Sequence, residues 1–195
     1  TLFRSIGLGT IGTTYGYLFN KAGHNVEHFI RKSSKKINIT ELNVDMLDGR
    51  TNKKGNHYTD IYKVNTNTKD SYNFIFISMP AGNIESVIET LNSNNIKGTI
   101  ILCCGIWEDK QYLEKVMQGR EYILGYPVAG GNIVDATLTC CVFDHFILEK
   151  KENSKIDNYD KLVKLFDSCN IKLETPYDML EWIWLHMAIN AGVVS

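Results

Sequence analysis

Near its amino end, between a short apolar run ending at Ser5–Ile6 and a segment with helical spacing, the chain reads Gly7-Leu8-Gly9-Thr10-Ile11-Gly12. Ile11, Tyr15, Leu18 and Ala22 lie 4, 3 and 4 residues apart, on one face of a helix that Gly23 is placed to end. Val26 to Ile30 follows as a second strand. Strand, glycine-rich turn, helix and strand within about 30 residues make a βαβ unit, whose two strands must run parallel. In that setting each glycine has its own task. The first permits the tight turn, the second lets a diphosphate approach the backbone, and the third lets helix and strand pack closely. The helix start adds free N–H groups and a positive dipole end. The pattern predicts a dinucleotide site; a glycine-rich turn that binds nothing is the alternative.

The rest of the chain extends this unit. Phe74 to Ser78 (FIFIS) and Thr99 to Cys104 (TIILCC) read as buried strands. Ile84, Val87, Ile88 and Leu91 mark a helix between them, and Glu108 to Met117 a helix after them. A strand is expected at Glu121 to Leu124, and sheet-edge strands at Thr137 to Val142 and Phe146 to Glu149. A helix with Tyr159, Leu162, Val163 and Phe166 inward and a short strand at Ile171 to Leu173 complete the series. Such strands, each followed by a helix, predict a Rossmann-type, doubly wound α/β fold with a mainly parallel sheet. In the polar stretch Arg31 to Asn73, Ile37 and Ile39, then Leu42 and Val44, alternate like half-exposed strands with a turn at Asp48–Gly49. Gly130-Gly131-Asn132 is expected as a flexible loop at a strand end.

Composition narrows the field. With 195 residues, 44% hydrophobic and 22% charged, the chain has the make-up of one globular domain, or one domain and part of another. A formal charge of −1 offers no basic field for nucleic acid. No run of about 18 apolar residues marks a membrane span. Thr1 to Gly12 lacks the features of a signal peptide, so a cytoplasmic location is expected. The five cysteines, Cys103–Cys104, Cys140–Cys141 and Cys169, read as reduced, buried thiols, and no metal-ligand spacing occurs.

The end of the second strand bears on cofactor choice. An NAD site would place Asp or Glu there for the ribose 2′-OH. The chain instead has Arg31-Lys32-Ser33-Ser34, two cations and two hydroxyls suited to a 2′-phosphate, and Glu27 comes too early to reach the ribose. NADP(H) is the expected cofactor; a solvated basic loop is the alternative reading.

From about Pro176 the chain reads PYDMLEWIWLHMAINAGVVS, apolar around nearly the whole helical circumference. A helix of that kind is buried inside something. The expectation is that 1–175 form one domain and 176–195 begin a second, helical domain truncated here. Association between copies through this helix is the alternative.

At these residues the chain resembles the ketopantoate reductases (2-dehydropantoate 2-reductases). The resemblance runs through SIGLGTIGTTYGYLFNKAGHNVEHFIRKS, FIFISMPAGNI, ILCCGIWE and LGYPVAGG, and ends in EWIWLHMAIN, similar to the family's W-x-K-x-x-x-N helix. It implies cofactor contacts at Gly7, Leu8, Gly9, Thr10, Ile11 and Gly12, at Arg31 and Lys32, at Ser78, Met79 and Pro80, at Cys104 and Gly105, and at Gly131. The family's lysine after the FIFIS-like strand is Pro80 here, and its asparagine before glycine is Cys104. Matching the terminal helix puts His186 where the family has its proton-donating lysine and retains Asn190. Four residues apart, His186 and Asn190 share one helical face. A histidine titrating near neutrality can protonate a carbonyl oxygen; a hydrogen-bonded core histidine with a structural asparagine is the alternative. The resemblance thus implies an NADPH-dependent oxidoreductase that reduces a 2-oxo acid such as ketopantoate, in pantothenate biosynthesis. The alternatives are an NADP(H)-binding sensor or interaction subunit without turnover, and an opine or hydroxy-acid dehydrogenase of the same plan. The expected partner is the small substrate, with room for a homodimer through the helical end.

Overall fold

The computed structural model describes residues 1–67, 69–79 and 82–194. Its strands are β1 (Leu2–Ile6), β2 (Asn25–Phe29), β3 (Glu41–Asp48), β4 (Asn56–Lys63), β5 (Ser71–Met79), β6 (Lys97–Cys104), β7 (Tyr122–Val134), β8 (Thr137–Leu148) and β9 (Lys172–Glu174). Its helices are α1 (Thr10–Lys21), α2 (Ile84–Ser93), α3 (Lys110–Met117), α4 (Tyr159–Asp167) and α5 (Met179–Val194). The strands form one sheet in the order β2-β1-β5-β6-β7-β8-β3-β4, with β9 also on β8. Pairing is parallel except at the β3–β4 hairpin and between β7 and β8. This is the expected α/β, Rossmann-type architecture. Helices α1 and α4 cover one face, over Phe3, Phe74, Phe76 and Phe146. Helices α2, α3 and α5 cover the other, over Ile75, Ile77, Ile100 and Leu102.

Helix α1 forms through enclosure rather than through propensity. Two glycines and four β-branched residues make it a poor helix former, yet every residue from Gly12 to Phe19 is buried. The sheet curls around it until its two edges face each other. Tyr17 Oη donates to Asp60 on β4 at 2.8 Å, and the Tyr17 and Tyr62 rings meet at 5.7 Å. Phe19 packs on Phe166 of α4 at 5.5 Å. Gly23 ends the helix with φ +84, as its position predicts.

Several local expectations need correction. Thr137 to Val142 and Phe146 to Glu149 are not two edge strands but one interior strand, β8, flanked by β7, β3 and β9. Asp144 and His145, which suggest a turn, continue the strand, and their side chains pair at 3.1 Å. Gly130 to Asn132 belongs to β7, paired with Thr139 to Cys141, rather than to a flexible loop. Gly131 has φ +143, and a Cβ there would collide with the Thr139 carbonyl, so this glycine serves the close approach of two strands. Leu42 and Val44 lie in β3, but Ile37 and Ile39 precede it, and 49–55 join β3 to β4.

Helix α5 begins at Met179, later than Pro176, with Asp178 Oδ1 accepting the Glu181 N–H at 3.0 Å. Met179 and Ile183 are buried on the sheet, whereas Leu185 and Ile189 are 63% and 55% exposed. Among the described residues, only one side of this apolar helix is covered. No helix among them is long and apolar enough to cross a membrane.

Candidate dinucleotide-binding site

The carboxyl ends of the parallel strands finish along one edge of the sheet. Ser5 pairs with Phe76, Met79 with Cys104, and Leu102 with Leu124. The turn after β1, Ser78–Met79, Cys104–Gly105 and Tyr126 therefore stand side by side, at the edge where open α/β sheets take ligands.

The backbone roles expected of Gly7 and Gly12 are met in the glycine-rich turn. Gly7 has φ +86, and its N–H donates to the Phe29 carbonyl at 2.7 Å, locking the turn to the end of β2. A Cβ on Gly9 would meet nothing within 4 Å, so that side of the turn is open for a ligand. A Cβ on Gly12 would collide with Ser5 Oγ, so helix and strand touch there. One turn further on, a Cβ on Gly16 would come within 3.1 Å of the His28 ring. The amides of Thr10, Ile11 and Gly12 precede the first helical hydrogen bond and donate to no other group among the described residues. The first turn carries no acid. Free donors, an open approach and the positive end of a buried helix suit a diphosphate.

Arg31 and Lys32 leave β2 at the same edge, exposed and without a carboxylate partner among the described residues. Glu27 points away from this edge into the sheet. It lies 3.5 Å from Arg4 and 2.5 Å from Tyr72 Oη, while Arg4 also bonds Tyr72. Ser78 and Met79 are half-buried at the end of β5, and Pro80 lies outside the described residues. Gly105 is half-buried, but the Cys104 side chain is 2% exposed and packs in the α2–α3 cluster. Burial pushes its thiol up to about 12, so it stays neutral at physiological pH. Gly131, further along β7, is not brought to this edge. Trp107, just past Gly105, is 56% exposed.

His186 approaches from α5. Its ring stacks on Trp182 at 4.9 Å and 9°, and meets Tyr126 edge-on at 4.6 Å. Neither ring nitrogen has a hydrogen-bond partner among the described residues. Asn190, one turn further on, is exposed. On β7 the Val128 N–H donates to Tyr15 Oη of α1 at 3.2 Å, where the β7–β8 register shifts. The strand carrying Tyr126 is thereby tied to the helix that opens at the glycine turn.

Sequence reasoning missed Lys36. Its Nζ donates to the Leu8 carbonyl at 2.8 Å, placing a cation over the glycine turn from 28 residues away. No local pattern announces such a contact. A run of three cations between Arg31 and Lys35 hides it among solvated neighbours.

The sequence profile described as ketopantoate reductase PanE/ApbA matches residues 4–127. Comparison with curated proteins finds no match. Among solved structures, 2-dehydropantoate 2-reductase from Geobacter metallireducens GS-15 superposes with TM-score 0.69 at 15% identity, over 97% of this chain and 62% of that one. D-Mandelate dehydrogenase, in a ternary structure with NADH and anilino(oxo)acetate, gives 0.68 at 14%, over 97% and 61%. Yersinopine dehydrogenase with NADP+ bound gives 0.63 at 11%, over 92% and 48%. The chain thus spans about three fifths of the length of the ketopantoate reductases it superposes on. At these identities the likeness is one of fold.

Proposed function

This chain belongs to the ketopantoate reductase PanE/ApbA family, and from that premise we propose that it is the dinucleotide-binding part of a cytoplasmic NADP(H)-dependent reductase of 2-oxo acids. One observation carries the reading. At the edge where such sheets bind ligands, the opening at Gly9 meets three amides without an acceptor among the described residues, with Arg31 and Lys32 lacking a carboxylate partner among them at the end of the neighbouring strand. The amides and the helix dipole take the diphosphate, and Arg31 takes the 2′-phosphate through paired N–H donors.

When bound, the reduced dinucleotide supplies hydride to a carbonyl carbon. The chain's own part is to hold the cofactor and to meet the negative charge that builds on the carbonyl oxygen. His186 is the group we assign to that task. Its ring is held by Trp182 and Tyr126, and neither nitrogen has a hydrogen-bond partner among the described residues, so the imidazole can donate to the oxygen. Asn190 on the same helical face is the second polar group available to the substrate. The exposed Leu185 and Ile189 on α5 support the reading that further helices, or a second copy, complete the cleft. Ketopantoate, which the family description names, is the first substrate to try.

The test is a binding titration followed by turnover. NADPH should bind more tightly than NADH, and NADPH oxidation should appear with one or more members of a 2-oxo acid panel. Normal binding without oxidation of any member would favour an NADP(H)-binding subunit over an enzyme. The absence of binding to either coenzyme would remove the whole reading.

A further inference from the structure

The segment after β2 brings one cation back over the turn at Gly7–Gly12. A chain of short-range bonds shapes it. The Ser34 N–H donates to Arg31 O at 2.9 Å, the Ile37 N–H to Ser34 O at 3.1 Å, and the Ile39 N–H to Lys36 O at 3.1 Å. Ser34 Oγ also accepts the Lys36 N–H at 3.2 Å. Lys36 is half-buried, whereas Arg31, Lys32 and Lys35 are exposed.

The Lys36 ammonium meets the Leu8 carbonyl at 2.8 Å and has no carboxylate within ion-pair distance among the described residues. An ammonium carries three donors, and this contact uses one. Two donors and a full positive charge remain beside the opening at Gly9, next to amides that also await an acceptor. Among the described residues the ammonium meets only that carbonyl, so an anion offers it a stronger, charge-assisted bond.

We propose that Lys36 is a diphosphate-binding residue, its ammonium bridging the Leu8 carbonyl and the cofactor's diphosphate, while Arg31 alone reads the 2′-phosphate. This rests on the dinucleotide reading above and deepens it. The two cations therefore divide the cofactor's negative charge between them. Lys36 acts on any dinucleotide, and Arg31 distinguishes NADPH from NADH.

The experiment is calorimetric titration of the whole chain and its variants with NADPH, with NADH and with adenosine 2′-monophosphate, which carries the 2′-phosphate but no diphosphate. Lys36→Met should weaken NADPH and NADH alike, by roughly tenfold each, leaving their ratio and the affinity for adenosine 2′-monophosphate unchanged. Lys36→Arg, which keeps the charge, should recover part of the loss. Arg31→Ala should collapse the ratio and weaken adenosine 2′-monophosphate. Lys36→Gln, with melting curves for every variant, separates a folding defect from a binding defect. Wild-type affinity in both neutral variants would overturn the assignment. So would a loss confined to NADPH, which would place Lys36 on the 2′-phosphate. Failure of the wild type to bind NADPH or NADH would instead remove the dinucleotide reading, and this assignment with it.

Discussion

His28 Nε2 on β2 lies 2.8 Å from Tyr62 Oη on β4, and this bond joins the two edges of the curled sheet. Both side chains are buried, and their rings meet edge to face at 5.7 Å. The bond closes the sheet over α1 without a continuous ladder of backbone hydrogen bonds. Tyr62→Phe keeps the ring contact and removes the hydroxyl, leaving the His28 ring with a buried, unmet nitrogen. The expected loss is about 1–3 kcal/mol, read as a lower denaturation midpoint with an unchanged denaturant slope.

The same histidine makes stability depend on pH. Burial, with the Arg4 charge in support, pushes the His28 imidazole down to about 4, whereas in the unfolded chain it titrates near 6.5. Between those values the unfolded state binds the extra proton, so the folded state loses ground as pH falls through this window and is unaffected above it. The full effect is roughly 3 kcal/mol by pH 4. Urea melts at pH 7.5, 6 and 5 should show a progressive decline, and His28→Gln should flatten it. A His28→Gln profile as steep as the wild type's would assign the decline to other groups.

Two glycines five ångströms or so apart along one turn should respond in opposite ways. Gly12→Ala drives a methyl group into Ser5 and should cost about 1–3 kcal/mol of stability. Gly9→Ala faces open space, at φ −83 and ψ 156, which any residue adopts. Its melting curve should stay near wild type while its dinucleotide affinity drops by tenfold or more, because the methyl group occupies the space the diphosphate needs.

The buried trio of Arg4, Glu27 and Tyr72 lies on the opposite face of β1 from α1. Glu27→Ala leaves the Arg4 guanidinium without its carboxylate in a site where Arg4 is 1% exposed. A loss of about 3–5 kcal/mol follows. Replacing both members, with Arg4→Met and Glu27→Leu, should restore much of it. Such a rescue marks the pair as structural and keeps Glu27 out of cofactor choice.

His186 carries the turnover prediction. His186→Ala should leave NADPH affinity within about twofold of wild type and lower kcat by 10²–10⁴, the usual range for loss of a general acid. Stopped-flow measurement of NADPH oxidation reads it directly. Undiminished kcat would exclude His186 as the proton donor and leave the dinucleotide reading intact.

The βαβ opening was legible in the sequence because its signals are local. Gly7, Gly12 and Gly23 each answer a backbone demand within a few residues, and all three do so in the structure. The continuous strand β8 was not legible, because Asp144 and His145 look like a turn when only neighbours in the chain are considered. What holds them extended is β9, arriving from 27 residues later, where His145 pairs with Lys172. Gly131 misled for the same reason, since a glycine pair suits a loop as well as a close strand crossing. In the candidate site, Arg31 and His186 could be singled out by position within a motif. Lys36 could not, because its partner Leu8 is reached only when the loop folds back.

Helix α1 is written first and walled in last. Tyr15 meets Phe146 at 5.4 Å, Phe19 meets Phe166, and Cys169 Sγ donates to the Leu18 carbonyl at 3.5 Å. A chain emerging from the ribosome has therefore made its glycine-rich turn long before it has made the wall that shelters it. Until residues near 169 emerge, one side of that helix stays wet, and the glycine-rich turn at its start has no finished support.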